Sequence, residues 1–145
     1  MTTLYTVGYE RLLPGALVAE LQASGVERVL DVRYRPQSRR PGMSRTRLAD
    51  LLASVGIAYE HRRALGTPPD IRVDYKTGRI AAAAPAFRAH VERTAADELE
   101  ALAGELPRAP ATALLCLEAD PACCHRRVLS ELLAERLPGL RVVDL

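Results

Sequence analysis

The residues best equipped for chemistry lie near the end of the chain, in Cys116-Leu117-Glu118-Ala119-Asp120 and Cys124-His125-Arg126. A thiol beside an imidazole can act as a nucleophile or redox group, with the imidazole as its acid–base partner. If Cys124 and His125 open a helix, the helix dipole favours anions there and lowers the thiol pKa. The plainer alternative is a small buried thiol and a hydrogen-bonded core histidine. Glu118 suits a general base, or equally a structural counter-ion for a nearby arginine. Cys124, His125 and Glu118 are therefore the candidate catalytic groups, with Cys123 read as a surface or packing residue.

A second cluster is electrostatic. Nineteen of the twenty basic residues are arginine, and Arg33, Arg35, Arg39, Arg40, Arg45 and Arg47 fall in a fifteen-residue window without an acid. That window carries +6, which leaves −4 on the remainder of a chain whose net charge is +2. Guanidinium forks bind phosphate or carboxylate bidentately, and a loop holding several of them attracts polyanions. Arg33, Arg39, Arg40 and Arg126, together with Tyr9, are the candidate anion- or substrate-binding residues. The competing reading pairs Arg33 with Asp31 or Glu118 inside the domain and leaves the loop solvated. Arg45 and Arg47 belong on the surface. Tyr9, Tyr34 and Tyr59 lie near strand ends, where they could stack on a base or cover the strand ends.

Several chemistries are excluded by spacing. There is no GxGxxG and no GxxxxGK[ST], so dinucleotide and P-loop sites lack support. Six residues after Cys116 stands Ala122, and six after Cys124 stands Ser130, so a C-x₅-R phosphatase or rhodanese loop is absent. Cys116, Cys124, His125 and His61 are soft ligand types, but they form no CxxC and no finger-like pair. The expectation is no metal and no cofactor, with Cys116 in the core. Three cysteines, two of them adjacent, suggest free thiols in a reducing compartment.

These groups need elements to hold them. Leu4–Tyr9, Arg28–Tyr34, Ile57–His61, Ala113–Glu118 and Arg141–Leu145 read as strands, being short and rich in apolar, β-branched or aromatic residues. Helical periods lie between them: Leu12–Ser24 ending at Gly25, a helix capped by Ser44 and stopped by Gly56, and Pro85–Glu105. A last helix takes Asp120 as its N-cap and Pro121 as its first residue, and ends before Pro138-Gly139. Arg62–Ala84, with Gly66, Pro68, Pro69 and Gly78, fits neither period and reads as a long irregular loop or insertion. Alternating strands and helices predict one α/β domain over 1–145, a mainly parallel five-stranded sheet with helices on both faces. At 26% charged and 48% apolar the chain is neither disordered nor a disulfide scaffold. No uncharged run exceeds nine residues, against the ~20 a membrane span needs. The N-terminus lacks a signal-peptide pattern, so a cytoplasmic location without membrane association is expected.

In such sheets ligands bind beyond the carboxyl ends of the strands. Four strand exits bring polar groups to that edge: Gly8-Tyr9-Glu10, Asp31 to Arg35, Tyr59 to Arg63, and Cys116 to Asp120. The ordered set Thr6-Val7-Gly8-Tyr9, Asp31-Val32-Arg33, Ser38-Arg39-Arg40-Pro41-Gly42, Leu65-Gly66-Thr67-Pro68-Pro69, Cys116 to Pro121 and Cys124-His125-Arg126 resembles the bacterial domain of unknown function 488 family nearly end to end. Many relatives carry His where this chain has Tyr9, and often Asn where it has Thr67. The resemblance implies a compact α/β domain and supplies no reaction. The leading expectation is an anion-binding domain, an enzyme acting on a phosphorylated, nucleotide or nucleic-acid substrate at that edge. The alternatives are a non-enzymatic nucleic-acid or partner-binding module, and a thiol or redox enzyme using Cys124.

Overall fold

A computed structural model describes residues 1–145. Its strands are β1 (Thr3–Gly8), β2 (Arg28–Asp31), β3 (Ala58–His61), β4 (Thr112–Cys116) and β5 (Arg141–Asp144). They form one sheet in the order β3-β2-β4-β1-β5, with every neighbouring pair parallel. The six helices are α1 (Pro14–Ala23), α2 (Arg45–Ser54), α3 (Pro69–Lys76), α4 (Ile80–Thr94), α5 (Ala96–Glu105) and α6 (Arg126–Arg136). The α/β class and the five expected strands are all present, each strand within a few residues of its expected limits.

Parallel strands bury both faces, and two separate cores result. On one face α1 and α2 place Leu17, Leu21, Leu48 and Leu52 against Val7, Val29, Ala113 and Leu115. On the other, α3 to α6 place Phe87, Val91, Leu99, Leu102 and Leu129 against Leu4, Leu30, Leu114 and Cys116. Strand β4 sits in the middle and is buried along its whole length. Its alternating side chains feed both cores, as the two-residue period of a strand requires.

Three expectations about local structure are corrected. Residues 62–84 are not an irregular loop: they hold a 3₁₀ turn (Arg63–Leu65), all of α3 and the first turn of α4. The prolines that suggested a loop sit where helices start, with Pro69 opening α3 and no N–H to waste. Ile71 and Tyr75, four apart, are the buried face of that helix.

The second correction concerns the long helical segment. It begins at Ile80 rather than Pro85, and it breaks at Ala95 into α4 and α5. Pro85 lies inside α4. The alanines before it are the strongest helix formers, and Phe87 and Val91 anchor the turns after it in the core. Together these outweigh the lost hydrogen bond.

Third, Asp120 caps only a 3₁₀ turn. Its Oδ1 accepts from the Ala122 N–H at 2.9 Å, the turn ends at Cys123, and α6 starts at Arg126. Cys124 is therefore extended and His125 stands at the N-cap position, so neither lies within the first turns of the helix. Ser44 is at the N-cap of α2, yet its hydroxyl bonds the backbone of Ser38 instead of the helix.

Because the strands are parallel, Gly8, Asp31, His61 and Cys116 end side by side. Gly8 is needed for this convergence. A Cβ built there would lie 1.7 Å from the Glu118 carbonyl oxygen and 2.7 Å from Arg126 Nη1. Both atoms belong to the turn and helix that close the edge, so neither can withdraw freely. Gly8→Ala is expected to lower the unfolding free energy by at least about 3 kcal/mol, measured by urea denaturation. A variant as stable as the parent would contradict the close approach.

Candidate functional site

The carboxyl edge is organised by two buried arginines. Arg33, leaving β2, donates from Nε to Asp31 Oδ1 at 2.8 Å and from Nη2 to Asp31 Oδ2 at 2.7 Å. Its Nη1 donates to the Met43 carbonyl at 2.7 Å and to the Tyr9 hydroxyl at 3.2 Å. Asp31 has no solvent exposure, and it also accepts from the Arg33 backbone N–H and the Tyr59 hydroxyl. Burial alone would lower the Arg33 pKa, but its bonds and charge attraction to Asp31 carry it above the ordinary arginine value. Burial and the bond to Asp31 likewise hold the Tyr59 phenol above its usual range.

Arg126, the first residue of α6, is completely buried and has no carboxylate partner. Its Nε donates to Thr6 Oγ1 at 3.1 Å and its Nη2 to the Ala119 carbonyl at 3.1 Å. Nη1 donates to the Glu118 carbonyl and lies 3.4 Å from Cys116 Sγ. Burial lowers its pKa against the opposing charges of Asp144, Glu118 and Asp120, while the Glu118 and Ala119 carbonyls accept from its Nη atoms. Arg126 thus ties α6 to β1 and to that turn.

Cys116, Cys124 and His125 meet under this edge. Cys116 and Cys124 are joined as a disulfide, which corrects the expectation of free thiols there. The eight-residue separation alone could not show that the β4 exit and the residues before α6 would face each other. Cys123 is the exposed free thiol. The His125 ring is buried against Phe87 and Tyr75, with Nε2 2.6 Å from the Val32 carbonyl. A carbonyl only accepts, so Nε2 carries the proton and Nδ1 is left as an acceptor 3.6 Å from Cys124 Sγ. Burial, helped by Arg72 and Arg126, pushes the imidazole pKa down to about 4 despite the opposing bond to Val32. Glu118 is half-buried and forms an ion pair with Arg72 on α3 at 2.7 Å.

Above these groups opens a cleft of about 610 Å³. Its floor is Tyr9, Arg33, Cys116 and His125. The loop after β2 supplies one wall with Tyr34, Arg35, Arg39 and Arg40; Thr67 and helix α3 supply the other with Arg72 and Lys76. Six cationic side chains line it and no acid does. The side chains of Arg35, Arg39 and Lys76 make no hydrogen bond or ion pair with the protein, so their charges are free for a ligand. Arg40 donates from Nη2 to the Leu12 carbonyl at 2.9 Å, which anchors the loop beside α1.

The expected site residues divide accordingly. Arg39, Arg40, Arg33, Tyr9 and His125 come together at the cleft, although Arg33 has most of its donors committed to Asp31, Met43 and Tyr9. Arg126 lies outside the lining, with its guanidinium enclosed. Glu118 serves as a partner for Arg72, and Cys124 lies behind Cys116. Of the three tyrosines considered for stacking, Tyr34 lines the cleft half-buried, with Arg63 over its ring at 4.1 Å. Tyr9 is buried and Tyr59 is bonded to Asp31.

Arg72, Lys76, Thr67 and Arg35 also line the cleft, although residue type and spacing did not single them out as site residues. Arg72 and Lys76 are four apart, so they share one face of α3. That spacing was readable, but only after Pro69–Lys76 is recognised as a helix.

The fold and cleft define a parallel α/β protein with a cation-lined depression at the carboxyl edge of its sheet. The family model described as "Domain of unknown function DUF488" matches residues 15–133. The chain belongs to that family. No curated protein and no solved structure matches it.

The ion pair at the floor generates a stability prediction. Asp31→Asn leaves a buried guanidinium without its counter-charge, and a loss of about 3–5 kcal/mol is expected in chemical denaturation. A change below about 1 kcal/mol would show that the pair is dispensable to the fold.

Proposed function

We propose that this chain binds a phosphate-bearing anion, a nucleotide or a nucleic-acid segment, in the cleft at the carboxyl edge. One observation carries the reading: six cations and no acid line the depression, and three of those cations have no partner within the protein. Like charges held together without counter-ions raise one another's energy, and an anionic ligand relieves that repulsion. Arginine supplies paired donors suited to phosphate oxygens, and Lys76 adds a mobile point charge.

The volume of about 610 Å³ falls in the range of small-molecule sites, about 300–1,000 Å³. With Arg63 over one face of its ring, Tyr34 in the wall has the other face to offer a planar base beside the phosphate, a stacking surface that a bare anion does not use. The buried Arg33–Asp31 pair acts beneath this site as a scaffold that holds Tyr9 and the loop at Met43. In this reading Arg35, Arg39 and Lys76 make the ligand contacts, while Arg40 and Arg72 hold the walls.

The test is titration of inorganic phosphate, nucleotides and short labelled single-stranded DNA and RNA into the parent protein and into Arg35→Ala/Arg39→Ala/Lys76→Ala. The three exposed cations can be removed without opening the core. Binding is expected to weaken at least about tenfold in the triple variant, a loss of about 1.4 kcal/mol. For nucleic acid, log K should fall with log salt between about 50 and 200 mM, with a shallower slope in the variant. No binding by the parent at low salt, or equal binding by the variant, would overturn the reading.

A further inference from the structure

We propose that Cys116, Cys124 and His125 form, once the disulfide is reduced, a three-ligand site for a thiophilic divalent metal ion of the zinc type, with its open position facing the cleft. The site does not depend on anion binding. It follows from the directions of three donor atoms contributed by the end of β4 and by the residues just before α6.

The three ligand atoms all lie within 4.8 Å of one another, and all three residues are buried. A tetrahedral ion holding sulfur at ~2.3 Å and nitrogen at ~2.05 Å sets those atoms ~3.6 Å apart. Cys124 Sγ and His125 Nδ1 stand 3.6 Å apart. Being neighbours in sequence does not impose this, since adjacent side chains ordinarily diverge. The Cα atoms of Cys116 and Cys124 are 7.5 Å apart, so the two sulfurs can separate once the bond between them is reduced. That separation leaves room for two thiolates to share an ion.

The surroundings match what metal ligands require. Histidine ligands commonly donate their second ring N–H to a carbonyl or carboxylate, which orients the ring and exposes the lone pair of the other nitrogen. The Val32 carbonyl fills that role at 2.6 Å from Nε2, leaving Nδ1 toward the sulfurs. Arg126 Nη1, 3.4 Å from Cys116 Sγ, gives the thiolate a charged neighbour. Cys116 and His125 both line the cleft, so a fourth position is reachable from solvent. Three protein ligands and one open position are the pattern of catalytic rather than structural zinc.

Loading requires reduction. Two equivalents of a thiol reductant supply two electrons and two protons, the Cys116–Cys124 bond breaks to two thiols, and the reductant leaves as its own disulfide. As the ion binds, each thiol releases its proton to water. The sequence alone suggested no metal, because the Cys-x₇-Cys-His spacing matches no finger pattern.

The experiment uses the full chain, reduced under anaerobic conditions and shown by thiol titration to carry three free thiols. Cobalt(II) is expected to bind at one equivalent, with the ligand-field and thiolate charge-transfer bands of a tetrahedral centre, and zinc should displace it. Cys116→Ser, Cys124→Ser and His125→Gln should each weaken binding by at least ~100-fold, the upper end of what losing an outer partner costs. Cys123→Ser should bind as the parent does. Should a ligand variant fail to fold, alkylation of the reduced parent decides: zinc should protect Cys116 and Cys124 and leave Cys123 reactive. A fully reduced parent that binds no cobalt or zinc, or metal that shields none of these thiols, overturns the proposal.

Discussion

A guanidinium removed from water must find counter-charge or carbonyls, and this requirement shapes the carboxyl edge of the sheet. Arg33 meets it through Asp31, which leaves no side of the carboxylate free: Arg33 takes both oxygens, its backbone N–H takes one, and the Tyr59 hydroxyl takes the other. The same guanidinium reaches Tyr9 after β1 and Met43 in the loop after β2. One ion pair therefore joins the exits of β1 and β2, strand β3 and the arginine loop. Removing either charge would strand the other in the interior, so the pair acts on the geometry of the whole edge.

Arg126 applies the same constraint without an acid. Four of its donors go to Thr6, Cys116 and the carbonyls of Glu118 and Ala119. This is possible because Gly8 has no Cβ where the Glu118 carbonyl passes. With Arg33 and Arg126 occupied internally, Arg40 bound to Leu12 and Arg72 to Glu118, the side chains of Arg35, Arg39 and Lys76 remain as the unpartnered cations of the cleft. The positive charge of the cleft and the rigidity of its floor thus come from one division of labour among residues of the same type.

Much of this was legible along the chain. All five strands announce themselves as short apolar runs, and Gly25 and Gly56 mark helix ends through their positive φ of 75° and 78°. Residues 62–84 were harder to read because proline signals a helix start and a loop equally well. Only Ile71 and Tyr75 buried on one side of α3 decide between the two. Pro85 misled for the opposite reason: core packing of Phe87 and Val91 overrides a local helix breaker. Asp120-Pro121 is a correct capping signal for a turn one step shorter than a helix.

The sequence by itself determined the alternation of strands and helices, the edge at which the polar groups emerge, and the excess of arginine there. Periodicity and strand direction are local properties, so local residues suffice for them. Which arginines stay free, and that Cys116 faces Cys124 beside His125, were decided only by tertiary structure. A charge is free or committed according to partners that lie far away in sequence: Asp31 and Met43 flank Arg33, but Tyr9 is 24 residues off, and Thr6 lies 120 residues from Arg126. Burial and pairing at such distances exist only once the parallel sheet has brought the strand ends into register.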